Sequence, residues 1–260
     1  MSLACLDGEI RETSALSIPV TDDGLLRGDG VFEAVRLYGG RPYALDEHLR
    51  RMARSAANLR LELDLDAIRA DVDALLAAAA PGDAKLRIVA TRGGRRLTMI
   101  EELPALPPSM ALACVEYAPP RILDSIKSLS YAANMLATRI AQEEGADEAL
   151  LTTPHGRLLE GPTSSFFAVF GDEVVTPPLS DHVLDSITRR KVLQVTEVTE
   201  RPLARADIAA MTEAFLCSSL REVMPVHTID GRELPAPGRR TKETAERLRE
   251  LIASELGSGA

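Results

Sequence analysis

RGDGVFEAVRLYGGRPYAL, residues 27–45, decides how the first part of the chain folds. Val31 to Tyr38 alternates and is rich in β-formers, Gly39-Gly40 supplies a two-residue turn, and Arg41 to Ala44 returns as a second strand, so the spacing predicts a β-hairpin. Upstream, Leu3 to Glu9 reads as a strand ending at Asp7-Gly8, followed by a loop through Pro19 and Asp22-Asp23-Gly24. Downstream, Asp46 is placed to cap a helix in which Leu49, Met52, Ala53, Ala56 and Leu59 recur at helical spacing. A second helix spans roughly Asp66 to Ala79, and Lys85 to Thr91 and Leu97 to Glu101 read as strands around Gly93-Gly94.

LPALPPS, residues 103–109, carries three prolines that forbid helix and central strand, and it marks the expected domain boundary. That reading gives an N-terminal domain over 1–104, a linker over 105–109 and a C-terminal domain over 110–260. Met110 to Val115 is an apolar strand, and a helix from about Tyr131 to Glu144 stops at Gly145. Short strands follow at Glu148 to Thr152, Leu158 to Glu160, Phe166 to Phe170 and Val174 to Thr176. A helix opens at Ser186, strands lie near Glu197 to Arg201, Ala214 to Cys217 and Val223 to Ile229, and a helix from about Thr241 to Leu256 closes the chain. Strands and helices interleave without strict βαβ alternation, which predicts an α+β fold.

Composition narrows the function. A net charge of -9, five Phe, four Tyr and no Trp disfavour nucleic-acid binding, which relies on clustered cations and stacking rings. Cys5, Cys114 and Cys217 form no CxxC and have no His at ligand spacing, so no metal site is expected. MSLACLDGEI lacks the pattern of a secretory leader, and no stretch approaches the roughly 18 apolar residues of a membrane helix; a cytoplasmic protein with reduced thiols is expected.

Chemistry concentrates in a few stretches. Only four lysines occur, Lys85, Lys127, Lys191 and Lys242, and Lys127 sits in the apolar run Ile126-Lys127-Ser128-Leu129. A desolvated lysine amine loses its proton and attacks carbonyls, which a guanidinium cannot do; a strand-end lysine that merely snorkels is the bland alternative. In Glu160-Gly161-Pro162-Thr163-Ser164-Ser165 a carboxylate is followed by a turn and three hydroxyls, a pattern that also suits an ordinary polar loop. Ser186-Ile187-Thr188-Arg189 opens a helix whose free N–H groups could hold an anion, and Cys217-Ser218-Ser219-Leu220-Arg221 could add further donors. Arg51 lies off its helix's apolar stripe, where periodicity alone predicts a solvated cation. There is no GxSxG, Walker loop or HExxH, and RGDGVF lacks dinucleotide-fingerprint spacing.

Together these stretches, from GDGVFEAVR to REVMPV, resemble the class IV aminotransferases, the fold-type IV pyridoxal phosphate (PLP) enzymes. That family includes branched-chain and D-amino-acid aminotransferases, aminodeoxychorismate lyases and R-selective amine transaminases. The resemblance implies a small α/β N-terminal domain, a larger C-terminal pseudo-barrel domain, PLP as cofactor and at least a homodimer. It places the PLP-linking lysine on Lys127, phosphate contacts on Arg51, Ile187, Thr188, Ser219 and Leu220, and the ring-nitrogen partner on Glu160. Ser165 stands where the family usually has Asn, and Ser186 where it has Gly. Tyr131 matches an active-site tyrosine at one residue less than the branched-chain spacing.

For the substrate carboxylate the resemblance leaves Arg36, Arg87 and Arg95 open, each with surface solvation as its alternative. The implied reaction moves an amino group between a D-amino acid, a branched-chain L-amino acid or an R-amine and a 2-oxo acid. An aminodeoxychorismate lyase is the second reading, and a scaffold that has lost its chemistry the third.

Overall fold

The computed structural model describes residues 3–118 and 120–258. The chain divides into two compact units, Met1–Ala105 with Ile126–Tyr131, and Leu106–Ser125 with Ala132–Ala260.

The first unit is built on a six-stranded antiparallel sheet in the order β2-β1-β6-β5-β3-β4. Its strands are β1 (Leu3–Leu6), β2 (Glu9–Glu12), β3 (Gly30–Tyr38), β4 (Arg41–Pro42), β5 (Ala84–Thr91) and β6 (Arg96–Glu101). Three helices accompany them: α1 (Asp23–Arg27), α2 (Leu45–Asn58) and α3 (Leu65–Ala78). Val31, Val35 and Leu37 of β3 and Leu86, Ile88 and Ala90 of β5 pack with Met52 of α2 and Val72 of α3 in one buried cluster. The alternation legible in the sequence is what sends these residues to the helix side. The other face of β3, with Ala34, Arg36 and Tyr38, is half-buried.

Three local features differ from the sequence expectation. The first strand ends at the Asp7-Gly8 turn as expected, both residues having positive φ, but the chain then returns as β2 to form a hairpin with β1 that the sequence reading did not place. The loop before β3 contains α1, capped by Asp22 through the Gly24 N–H at 2.8 Å and ended by Gly28 at φ +68°. Asp46 does not cap α2. The N-cap is Ala44 in the left-handed region without a side-chain bond, and Asp46 sits in the first turn, where a carboxylate favours the helix dipole, paired with Arg69.

The second unit carries a ten-stranded mixed sheet, running β12-β11-β10-β14-β15-β7-β8-β9-β13 with β16 beside β15. Its strands are β7 (Met110–Glu116), β8 (Glu148–Thr152), β9 (Arg157–Leu158), β10 (Ser165–Phe170), β11 (Glu173–Thr176), β12 (Val198–Glu200), β13 (Leu203–Ala204), β14 (Glu213–Ser218), β15 (Glu222–Ile229) and β16 (Arg232–Glu233). Its helices are α4 (Ala132–Glu143), α5 (Ile187–Val195) and α6 (Arg239–Gly257). Phe166, Leu216 and Val226, on three neighbouring strands, lie in the same buried cluster. α4 packs its Ala137 and Ala141 against Ala149 and Leu151 of β8. The three cysteines are free, and burial pushes the Cys114 thiol up to about 12, which disfavours a reactive thiolate. Among the described residues no helix is long and apolar enough to cross a membrane.

Ile126–Tyr131 belongs to the first unit, against the expectation that 110–260 forms one domain. The reason lies in main-chain hydrogen bonding. β4 pairs only with Leu37 and Tyr38, and Ile126–Tyr131 satisfies part of the remaining outer edge of β3.

Candidate active site

The edge stretch is anchored through its backbone. The Phe32 N–H donates to the Lys127 carbonyl at 3.1 Å, the Leu129 N–H to the Gly30 carbonyl at 2.9 Å, and Ser128 bridges Val31. On the helix side, the Ser55 hydroxyl of α2 accepts the Lys127 N–H at 3.1 Å. Gly30 makes this approach possible. A Cβ there would stand 2.4 Å from the Ala90 carbonyl oxygen and 2.6 Å from Leu129 Cδ1. Gly30→Ala is therefore expected to displace Leu129 and Lys127 and to destabilise the protein by about 1–3 kcal/mol. Urea denaturation together with cofactor stoichiometry per chain measures both effects.

Lys127 extends its Nζ to 4.4 Å from the centre of the Phe32 ring and 5.7 Å from that of Tyr131. The two rings meet edge to face at 5.2 Å.

On the opposite, helix-packed side of β3, Glu33 is fully buried. Arg51 of α2 donates Nε to its Oε1 at 2.8 Å and Nη2 to its Oε2 at 2.6 Å, and His48 Nδ1 lies 2.7 Å from Oε2. Arg51 is only 5% exposed, which overturns the solvated cation that periodicity predicts. A buried carboxylate supplies the partner that periodicity cannot see.

Burial alone would raise the Glu33 pKa, but the Arg51 charge and hydrogen bonds, with His48 adding to them, hold it down at about 2. Burial, opposed by Glu33, lowers the His48 pKa below its usual value. Both groups bind protons more weakly folded than unfolded, so both stabilise at neutral pH and lose that contribution on acidification. Unit 1 is expected to lose stability first below pH 6.5, as His48 would charge in the unfolded chain, and further from about pH 4.5 to about pH 2 through Glu33. Denaturant midpoints followed against pH check this, with Glu33→Gln removing the lower step.

Of the arginines proposed for a carboxylate, Arg36 and Arg87 stand on the same sheet face as Phe32, as the β3–β5 register requires. Arg87 donates Nε to Glu101 at 2.7 Å, and Lys85 Nζ lies 3.0 Å from the same carboxylate. Arg36 stacks over Tyr38 at 4.7 Å and lies 3.7 Å from Asp83. Arg95 is drawn to Asp7 at the β1–β2 turn, 2.7 Å away.

In the second unit Glu160 follows β9, and its Oε1 accepts the Leu184 N–H at 3.0 Å. The turn after it is held by the Gly161 N–H on the Ser164 carbonyl at 2.8 Å, by Ser164 Oγ on Glu148 at 3.2 Å, and by Asn134 Nδ2 of α4 on the Pro162 carbonyl at 3.0 Å. Ser165 opens β10 opposite Cys217 of β14, and its buried Oγ has no hydrogen-bond partner among the described residues. Beyond β14, Ser219 and Leu220 form a half-buried turn closed by the Arg221 N–H on Ser218, and Arg221 ion-pairs with Glu148. Ser186 caps α5 by accepting the Arg189 N–H at 3.3 Å. That leaves the N–H groups of the buried Ile187 and Thr188 in the first-turn positions that helix geometry cannot pair internally.

The amino-transferase class IV family model matches residues 30–229, from the first residue of β3 to the last of β15. The chain belongs to this family. Its relatives include a protein named provisionally as a branched-chain-amino-acid aminotransferase, from Methanocaldococcus jannaschii, 30% identical over 95% of this chain and 95% of that protein. Another is a bifunctional aminodeoxychorismate lyase / D-amino acid transaminase of Mycobacterium tuberculosis, 30% identical over 88% of this chain and 92% of that one. A hypothetical aminotransferase from Mycobacterium tuberculosis, solved in a PLP-bound form, superposes with a TM-score of 0.88 at 27% identity, covering 98% of this chain and 100% of that one. Class IV aminotransferases are PLP-dependent, and the α+β architecture of this chain is that of fold-type IV transaminases.

The sequence singled out Lys127, Arg51, Glu160, Ser165, Ile187 and Thr188. It missed Ser55, which accepts the Lys127 N–H, Glu33, which with His48 beside it holds Arg51, and Glu148 and Asn134, which brace the turn after Glu160. Glu33 alone left a trace, as an acid at a core-facing position of an alternating strand.

Proposed function

We propose that this class IV aminotransferase transfers an amino group from an amino acid to a 2-oxo acid, using PLP joined to Lys127. The observation that carries the reading is Lys127 itself, fixed through its backbone on the edge of β3 with its amine against two aromatic rings. The residues present fit the cofactor. The partnerless Ser165 Oγ and the first-turn N–H groups of α5 suit a phosphorylated, hydrogen-bonding group, and Glu160 suits a protonated ring nitrogen.

Bound there, PLP would supply an electron sink for the substrate Cα. Lys127 holds and returns the proton taken from Cα. Arg51, Ile187, Thr188, Ser219 and Leu220 would hold the PLP phosphate, and Glu160 would keep its ring nitrogen protonated. Tyr131 and Phe32 orient the amine. Arg36 and Arg87, which share the Phe32 face, are better placed for a substrate carboxylate than Arg95. The substrate class is a D-amino acid or a branched-chain L-amino acid, and R-amines are further donors to test. The active form is a homodimer in the cytoplasm.

The bifunctional relative gives the lyase a specific claim as second reading. Half-reactions of the PLP-loaded protein with D-alanine, D-glutamate, L-leucine, R-1-phenylethylamine and aminodeoxychorismate separate the two. Loss of the cofactor's visible absorbance with one amino donor establishes transamination and its stereochemistry. Release of pyruvate from aminodeoxychorismate with the absorbance restored establishes the lyase.

A further inference from the structure

Glu33 occupies a position that the sheet reserves for apolar side chains. Val31, Val35 and Leu37 on the same side of β3 are at most 2% exposed, and Glu33 is as buried as they are. A buried ion pair is a poor way to stabilise a core, because desolvating two charges offsets most of their attraction and an apolar replacement does as well. The arrangement around Glu33 instead specifies geometry. His48 and Arg51 stand three residues apart on α2, so both project from one helix face. Arg51 meets the carboxylate side-on through Nε and Nη2, a fork that fixes the plane of the guanidinium as well as its position. His48 occupies a further lone pair of Oε2 and keeps the carboxylate from rotating. With Nε and one Nη2 hydrogen committed to Glu33, the Nη1 edge is directed away from it.

We propose that Glu33, steadied by His48, is a positioning residue that fixes the Arg51 guanidinium in the orientation from which it grips the cofactor phosphate. This inference rests on Arg51 being a phosphate ligand in the function proposed above. Glu33 acts through Arg51 and touches neither cofactor nor substrate. The bulk of its effect therefore falls on PLP affinity, and turnover of the saturated enzyme stays within a few-fold.

The test is titration of the full-length, PLP-stripped chain with PLP, and with inorganic phosphate as competitor, for wild type, Glu33→Gln, Arg51→Met and the double variant. Glu33→Gln places an amide donor against an arginine donor and removes the balancing charge, so PLP affinity falls by about 10- to 100-fold, the scale of a lost hydrogen bond to a charged group. In the Arg51→Met background the same change adds little further loss, because there is no guanidinium left to orient. Glu33→Asp, which keeps the charge at shorter reach, recovers part of the affinity.

An unchanged affinity in Glu33→Gln, or a loss that adds fully to that of Arg51→Met, overturns the proposal. If Arg51→Met itself binds PLP like wild type, the phosphate assignment of Arg51 fails first, and the role of Glu33 falls with it. Should Glu33→Gln not fold, Glu33→Asp and His48→Ala carry the test: each weakens PLP binding several-fold, and wild-type affinity in both overturns the proposal.

Discussion

Lys127→Ala is expected to fold, to take up PLP without any borohydride-reducible link, and to lose at least about 10³-fold in half-reaction rate. Folding survives because the stretch is held by main-chain groups. The Lys127 carbonyl accepts from Phe32, its N–H reaches Ser55, and Leu129 donates to Gly30, none of which involves the amine. The chemistry does not survive, because no other lysine stands in the same setting. Lys85 is committed to Glu101 at 3.0 Å and Lys191 to Glu255 at 2.9 Å. Mass spectrometry after borohydride reduction, with rapid-mixing absorbance, reads both effects. A reducible adduct retained by the alanine variant would remove Lys127 from its proposed role.

Glu160→Gln is expected to retain PLP and yet slow the half-reaction by about 10²- to 10³-fold, the range found when one group stabilising developing charge is neutralised. The amide oxygen can still accept the Leu184 N–H that the native Oε1 accepts at 3.0 Å, so the loop leading into α5 keeps its anchor. What is lost is a negative charge able to hold a proton on a ring nitrogen, which an NH₂ group cannot do. Wild-type rates in this variant, measured under PLP saturation, would assign the role to another group.

The sequence alone determined the secondary structure wherever periodicity was strong. The β3–β4 hairpin, α2, α3, β5, β6 and α4 stand within a few residues of their predicted spans, because alternation and helical spacing are local properties. It determined the family too, since motif order along the chain survives at identities near 30%. Boundaries set by tertiary demands were less legible: α1 hides in a loop-like stretch, and Ala44 starts α2 in the left-handed region, although Asp46 has the better capping chemistry.

Three things were decided only by the tertiary structure. Ile126–Tyr131 joins the first unit because β3 has edge groups to satisfy, a pairing across about a hundred residues that no local pattern encodes. Arg51 is buried because Glu33, eighteen positions earlier on a strand, faces it. Arg95 is drawn away from the other candidate arginines by Asp7, 88 positions distant. In each case a charged or hydrogen-bonding group takes its meaning from a partner that folding supplies, and the strength of such interactions depends on burial that a sequence window does not contain.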